Sequence, residues 1–137
     1  MQERDRLYID GHWLSPIGSS FIEVTNPVTE AVIGRVVSAT EAETEQAIAA
    51  AREAADAWGR TTVAERVVRL EKIHQGLMSR TEEIAQTITS EIGMPIKLSR
   101  RIQAGLPAAV LDRYIKLLAE YSFEEKIGNS LVVREPV

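Results

Sequence analysis

Residues 61–95 form the longest stretch with a sustained helical period, and this stretch constrains the fold of the 137-residue chain most strongly. Thr62 and Glu65 form a reciprocal capping pair, in which each side chain satisfies a free backbone N–H at a helix start. Gly93 followed by Pro95 is a strong C-terminal stop. The stretch is therefore predicted to be helical from its first turn to Gly93.

A second capping pair inside this stretch, Ser79 with Glu82, predicts that it is two consecutive helices. Their predicted core-facing residues recur at helical spacing. They are Val67, Leu70, Ile73 and Leu77 in the first helix, and Ile84, Ile88 and Ile92 in the second.

The flanking helices carry apolar stripes that need a partner such as this central run. The preceding helix begins with the capping pair Thr40 and Glu43 and ends at Gly59. Residues 96–104 look helical, but Gly105 and Pro107 interrupt them, and Pro107 fits either a kink or the first turn of a new helix. The predicted stripes are Ala47, Ile48, Ala51, Ala55 and Trp58 before the central run, and Val110, Tyr114, Leu117, Leu118 and Tyr121 after it.

Short strands are predicted at both ends of the chain. Residues 1–6 are charged and expected to fray, whereas residues 6–14 read as a hairpin that turns at Asp10 and Gly11. Further strands are predicted in FIEVT and AVIGRVV, separated by a turn at Asn26-Pro27. Residues 7–37 should therefore form a small antiparallel β unit.

The C-terminal end reads as a polar connection, residues 124–129, followed by a strand over 130–137. A lone strand leaves unpaired backbone groups along its edge. We expect it to pair with the N-terminal β unit, with another chain, or with a continuation of a longer polypeptide.

Composition narrows the class of protein. Hydrophobic residues make up 45% of the sequence, which is typical of a globular chain. The net charge is −4 without a basic block, which argues against nucleic acid and anionic membranes as partners. The chain has no Cys, so it offers neither a disulfide nor a cysteine nucleophile. No apolar run reaches membrane-spanning length, and a cytoplasmic location is the default expectation.

The candidate chemical groups each have a simpler structural interpretation. The two histidines, His12 and His74, lack metal-site spacing, and no glycine-rich phosphate-binding pattern surrounds Gly34 or Gly93. The remaining candidates are expected to pack or to lie in solvent: the pairs Glu82-Glu83, Glu124-Glu125 and Arg100-Arg101, and Trp58. The sequence predicts no catalytic, cofactor-binding or metal-ligating residue.

These features predict an α+β fold, mostly helical, with three to five helices. They fit one segment, residues 1–137: a β unit over 7–37, helices over 40–122 and a terminal strand over 130–137.

The order of several motifs resembles the N-terminal segment of the NAD(P)-dependent aldehyde dehydrogenase superfamily. The matching stretches are LYIDGHW, VTNPVTEAVIGRV, EQAIAAAREAADAW, ERVVRLEKIHQGLMSRTEEIAQTITSEIGMP and IGNSLVVREPV. Glu30-Ala31, where the family often has a glycine turn, and Met94, where it often has lysine, depart from the pattern.

The resemblance implies a fragment of an enzyme that oxidises aldehydes to carboxylic acids. Its cysteine nucleophile, glutamate base and main NAD or NADP contacts would lie beyond residue 137. This segment would be structural and inactive alone, with no cofactor bound to it. The implied partners are a small aldehyde and other copies of the enzyme, and the strand over 130–137 would begin the oligomerisation element. The alternative is a stand-alone helical interaction or oligomerisation module without enzymatic activity.

Overall fold

The computed structural model describes residues 2–135 and contains an α+β fold dominated by helices. The strands are β1 (Gln2–Arg4), β2 (Leu7–Ile9), β3 (His12–Leu14), β4 (Phe21–Thr25), β5 (Val32–Val37), β6 (Glu124–Ile127) and β7 (Ser130–Val133). The helices are α1 (Glu41–Gly59), α2 (Val63–Ser79), α3 (Thr81–Ile92), α4 (Ile96–Leu98) and α5 (Gly105–Glu120), with a π-helical segment, Ser99–Ala104, between the last two.

The N-terminal strands form two separate sheets. β2 and β3 make the predicted antiparallel hairpin, in which Asp10 and Gly11 take φ values of 51° and 76° at the turn. β4 pairs with β5 antiparallel, as expected. The prediction that residues 1–6 fray is wrong for residues 2–4, because β1 pairs parallel with β5. Gly34 permits this pairing, since a Cβ there would lie 3.1 Å from the Gln2 carbonyl oxygen.

Two of the three predicted capping pairs are present. Thr40 with Glu43 begins α1, and Thr62 with Glu65 begins α2. The predicted cap from Ser79 and Glu82 is wrong, although the two consecutive helices that it suggested do exist. Ser79 is still the last residue of α2, so its backbone lacks the extended conformation of a cap, and its hydroxyl donates to the Gly76 carbonyl.

The expected interruption at Gly105 and Pro107 is also wrong. The chain stays helical because a π-helical segment widens the turn, and the Gly105 N–H donates to the carbonyls of Arg100 and Ile102. Pro107 then falls in the first turn of α5, which follows the π-helical segment without a break. Of the two possibilities left open for Pro107, a place in a first turn is observed, but this turn continues the preceding helix and does not start a separate one. The stop at Gly93 is confirmed, with φ of 73°.

The predicted stripes of the central run are confirmed at Val67, Leu70, Leu77, Ile84 and Ile88, which are half-buried, and are wrong at two residues. In α2, His74 is half-buried towards the core whereas Ile73 is exposed, and Ile92 of α3 is exposed as well. α2 packs against α5, and α3 packs against the π-helical segment. The central run therefore has its helical partners among the elements that follow it in the chain. α1 does not pack in this way: Glu43 is its one buried residue among those described, and β2 is its main neighbour.

The C-terminal strand has a partner that none of the three possibilities named. Residues 124–127, expected to be part of a connection, form β6 and pair antiparallel with β7. Gly128, at φ of 60°, and Asn129 make the two-residue turn that brings the strands together. The predicted strand continued to 137, and its positions 136 and 137 lie outside the described residues.

The core is small and rich in alanine. Its buried apolar residues are Ile9, Val37, Ala85, Ala104, Ala108 and Ile115. Ser99 is fully buried at the start of the π-helical segment, and its hydroxyl oxygen accepts from Thr89 Oγ1 at 2.9 Å. Across residues 2–135 we find no helix with the length and apolarity that crossing a membrane requires.

Candidate functional site

A cleft of about 560 Å³ separates α3 from the three-stranded sheet. Arg4 and Val24 line it from the sheet, and Ile84, Thr87 and Glu91 line it from α3. At one end the turn after β4 approaches the end of α3, since a Cβ on Gly93 would lie 3.1 Å from both Pro27 Cγ and Val28 Cγ2. Binding and catalytic groups usually lie in concave surfaces of this kind, lined by both apolar and charged side chains.

Two of the charged groups that line this cleft form an ion pair. Arg80 donates to Glu83 through Nε at 2.8 Å and Nη2 at 2.6 Å, and these hydrogen bonds lower the pKa of the Glu83 carboxyl. A carboxylate held ionised by a guanidinium is a poor general acid or base at neutral pH. The cleft therefore shows a structural ion pair at its rim. The hydroxyls of Thr87 and Ser90 also line it, and each donates to a backbone carbonyl of its own helix, of Glu83 and of Gln86 respectively.

Glu82, the neighbour of Glu83, joins α3 to the π-helical segment. Arg100 donates to both its oxygens, through Nε at 2.6 Å and Nη2 at 2.7 Å, and Gln86 Nε2 adds a third donor at 3.0 Å. These hydrogen bonds, Arg100 first, lower the pKa of Glu82 to about 2. The adjacent glutamates thus bind different arginines on different sides of the helix, as the structural interpretation of Glu82-Glu83 expects.

Glu43 is the buried acidic residue of the described chain, and its carboxylate joins the loop before β4 to α1. Oε1 accepts from the Ile17 N–H at 2.7 Å, while Oε2 accepts from the Thr40 N–H at 2.8 Å and its hydroxyl at 2.7 Å. The Thr40 backbone, the Ile17 backbone and the Thr40 hydroxyl together lower the pKa of Glu43. The sequence indicated the Thr40 contacts but contained no signal for the bond to Ile17, 26 residues away.

The two histidines and Trp58 lie on three different elements, β3, α2 and α1. His12 is exposed on β3, and His74 lies half-buried on the face of α2 that packs against α5. Trp58 has its ring 5.7 Å from the guanidinium carbons of both Arg66 and Arg69. It therefore packs against cations at the α1–α2 connection instead of closing an apolar stripe. Among residues 2–135 no three His, Asp or Glu side chains are grouped as metal ligands.

The N-termini of α1, α2 and α3 do not fit a dinucleotide phosphate. Such a group needs free backbone N–H donors and a positive local potential. Glu43 and Glu65 already occupy the first turns of α1 and α2, and Glu82 with Glu83 makes the first turn of α3 acidic. No step that involves a nicotinamide cofactor is therefore assigned to these residues. The expectation that this chain carries no catalytic, cofactor-binding or metal residue stays a prediction.

Glu124 and Glu125 lie on the β6–β7 hairpin, where they were expected in a loop. Glu125 accepts from Arg134 Nη2 at 2.7 Å, which ties β6 to the residue after β7. Except for the half-buried Val132, the hairpin's residues are exposed. An isolated two-stranded hairpin is marginally stable in water. This hairpin is accordingly a candidate contact surface and carries no sign of catalysis.

Comparison with known proteins identifies the relatives of this chain. A sequence model of the aldehyde dehydrogenase family matches residues 13–137. A curated relative, 3-succinoylsemialdehyde-pyridine dehydrogenase from a Pseudomonas species, is 38% identical over 99% of this chain and 29% of its own length. A putative aldehyde dehydrogenase of Staphylococcus aureus is 39% identical, again over 29% of its length.

Solved structures agree with the sequence matches. Aldehyde dehydrogenase C from Pseudomonas syringae, crystallised with NAD+ and octanal, aligns with a TM-score of 0.91 at 38% identity. The alignment covers 96% of this chain and 27% of that one. Lactaldehyde dehydrogenase from Escherichia coli aligns with a TM-score of 0.85 at 30% identity, over 95% and 27% of the two chains. The chain thus spans less than a third of the length of each of these proteins.

Proposed function

Because the chain belongs to the aldehyde dehydrogenase family, we propose that it serves as the N-terminal structural part of an enzyme that oxidises aldehydes to carboxylic acids with NAD+ or NADP+. The observation that carries the proposal is the family match over residues 13–137 together with its share of the relatives, which is 29% for the Pseudomonas dehydrogenase.

The catalytic group belongs to the remaining polypeptide under this proposal. A thiol nucleophile needs a Cys, and this chain has none. The acidic first turns of α1, α2 and α3 argue that the cofactor phosphates are also bound elsewhere. The described segment then contributes packing surfaces and the β6–β7 hairpin.

The hairpin supports the homo-oligomer that the proposal includes. Both of its outer edges can accept a further strand, and its exposed Ile127, Leu131 and Val133 offer apolar contact. A cytoplasmic location is also part of the proposal, since a chain without Cys gains no disulfide from an oxidising compartment. The stand-alone interaction module is the weaker alternative, because it leaves the family match unexplained.

A chimera tests the proposed function. This chain replaces the matched N-terminal 29% of the Pseudomonas relative, and the product is assayed for NAD+-dependent oxidation of the semialdehyde in that enzyme's name. We expect activity in the chimera and in the parent relative, and none in the 137-residue chain or in the relative lacking its matched segment. A folded chimera that is inactive beside an active parent would refute the proposal.

A further inference from the structure

α5 has two apolar faces, and the described chain covers one of them. Ala108 and Ile115 are buried where α5 packs against α2. On the opposite side of the helix lies a second stripe at spacings of three and four residues. We call it the outer stripe: Leu106, Val110, Tyr114 and Leu117 of α5, and Tyr121, which directly follows the helix.

The outer stripe is unusually exposed for residues of its kind. Tyr114 is 62% and Leu117 is 53% accessible, and all five members are among the exposed large hydrophobic residues. A helix that is apolar on opposite sides is typical of the interior of a larger protein, where both faces are covered. The outer stripe therefore lacks a neighbour that its sequence was suited to meet.

The accessible surface of the whole chain is larger than that of a compact monomer of the same mass. The accessible surface is 10589 Å² for a chain of 15.2 kDa. A compact monomer of this mass exposes about 7,100 Å², so the excess is about 3,500 Å². Each partner in an ordinary protein–protein interface buries roughly 800 Å². A single interface of ordinary size would leave most of the excess uncovered.

The exposed apolar residues also lie on several separate elements. Ile48 on α1, Val68 and Ile73 on α2, and the outer stripe on α5 cannot all face one small patch. A second copy bound about a two-fold axis would cover one of these faces. The relatives supply a larger candidate, because more than two thirds of the Pseudomonas dehydrogenase lies outside its match to this chain.

We propose that this chain binds the remaining polypeptide of an aldehyde dehydrogenase without a covalent connection, and that the outer stripe of α5 is a principal docking surface. The proposal rests on the proposed function. This inference goes beyond the proposed function, because it states that the apolar contact alone holds the two parts together once the peptide bond between them is cut.

The test uses the chimera of this chain with the relative's remainder, rebuilt with a protease site at the junction. The intact chimera is purified, cleaved and passed over a gel-filtration column at decreasing concentrations. We expect the two pieces to elute together. Separation of the wild-type pieces at every concentration would overturn the proposal.

Variants locate the docking surface. Tyr114→Glu with Leu117→Glu should weaken the association after cleavage at least about tenfold, because charges would have to enter an apolar contact. Ala109→Glu is the matched control: it adds the same charge at an exposed position of α5 between the two apolar faces. Its association should stay near the wild-type value. Equal association of the double variant and the wild type would overturn the assignment to the outer stripe.

Circular dichroism and light scattering distinguish a loss of docking from unfolding and from self-association. Circular dichroism of the 137-residue chain should show the same helix content in the double variant, since both side chains are mostly exposed. If the double-variant chimera does not fold, Tyr114→Ala is used, and it should weaken the association as well.

Light scattering of the chain alone tests whether a second copy of this chain covers the outer stripe. A stable dimer that Tyr114→Glu dissociates, with no binding to the remainder, would assign the stripe to a second copy and overturn the proposal.

The two proposals fail in distinguishable ways. An active intact chimera whose pieces separate after cleavage would leave the proposed function in place and remove this inference. An inactive chimera whose pieces stay together would remove the proposed function and leave this inference in place.

Discussion

Two glutamates at equivalent positions of successive helices use their carboxylates differently. Glu65 accepts hydrogen bonds from Thr62 through Oε2, as the reciprocal capping pair requires. Glu43 makes the same contacts to Thr40 and uses its other oxygen for the Ile17 N–H. The second bond fixes the loop before β4 against the start of α1, a long-range constraint that a capping motif does not by itself include.

This difference predicts unequal effects of the same substitution. Glu43→Gln replaces one accepting oxygen with a donor, which leaves either the Ile17 N–H or the Thr40 groups without an acceptor. We expect the Tm to fall by a few degrees and the Ile17 amide to exchange at least about tenfold faster with solvent. Glu65→Gln is the control, because its amide group can face solvent while its oxygen keeps the cap.

The pKa of Glu43 sets the pH at which this effect is seen. Its hydrogen bonds lower that pKa below 4.5, so their contribution is present above pH 4.5 and is lost as the pH falls through the lowered value. The gap in Tm between wild type and Glu43→Gln should therefore close in acid. A gap that is absent at pH 7, or one shared by Glu65→Gln, would contradict the role assigned to Oε1.

Residue chemistry could be predicted from sequence where it is local. The capping pairs at Thr40 and Thr62 and the left-handed Gly93 depend on residues within a few positions, and all three are present. Ser79 shows the limit of such motifs. The same spacing of serine and glutamate occurs there, but α2 continues through Ser79 and its backbone is unavailable for a cap.

At the scale of single elements, the π-helical segment depends on a glycine. A Cβ at Gly105 would lie 3.0 Å from the Arg100 carbonyl oxygen, which belongs to the widened turn. Gly76, in α2, has nothing within 4 Å of the equivalent position. Both glycines are helical and lack positive φ, so they differ mainly in the space around them.

Alanine substitutions at these two glycines should have opposite signs. Gly76→Ala is expected to stabilise the chain by about 0.5–1 kcal/mol, the usual gain of alanine over glycine within a helix. Gly105→Ala should lower the stability, because the new methyl group displaces the Arg100 carbonyl from the π turn. Thermal unfolding of both variants beside the wild type measures the signs. Equal stabilisation by the two substitutions would mean that the π segment tolerates the methyl group.

Helical periodicity identified the more buried face of α2 and α3 but not that of α5. The predicted stripe of α5 contained Val110, Tyr114 and Leu117, which are exposed, whereas Ala108 and Ile115 are buried. A helix with two apolar faces gives two valid stripes, and spacing alone cannot rank them. The strand β6 was missed for a related reason, since polar residues on both faces hide the alternation of a strand.

For the whole molecule, the fold class and the family could be predicted from sequence because both depend on the order of many local features. The packing of α1 could not, since its stripe was expected to meet the central run and instead remains exposed. The reason is physical: a stripe specifies that a helix needs a cover without specifying which chain provides it. In this molecule apolar faces of α1, α2 and α5 remain exposed to solvent.

We expect the exposed faces of this chain to become interior when the rest of an aldehyde dehydrogenase is present. Hydroxyl-radical labelling of Tyr114 tests it most directly, in the 137-residue chain and in the chimera, with free tyrosine added to calibrate the radical dose. We expect rapid labelling in the chain alone, where the side chain is 62% exposed, and a severalfold slower rate in the chimera. Equal rates in the two proteins would show that the outer stripe stays in solvent and that the remaining polypeptide does not cover it.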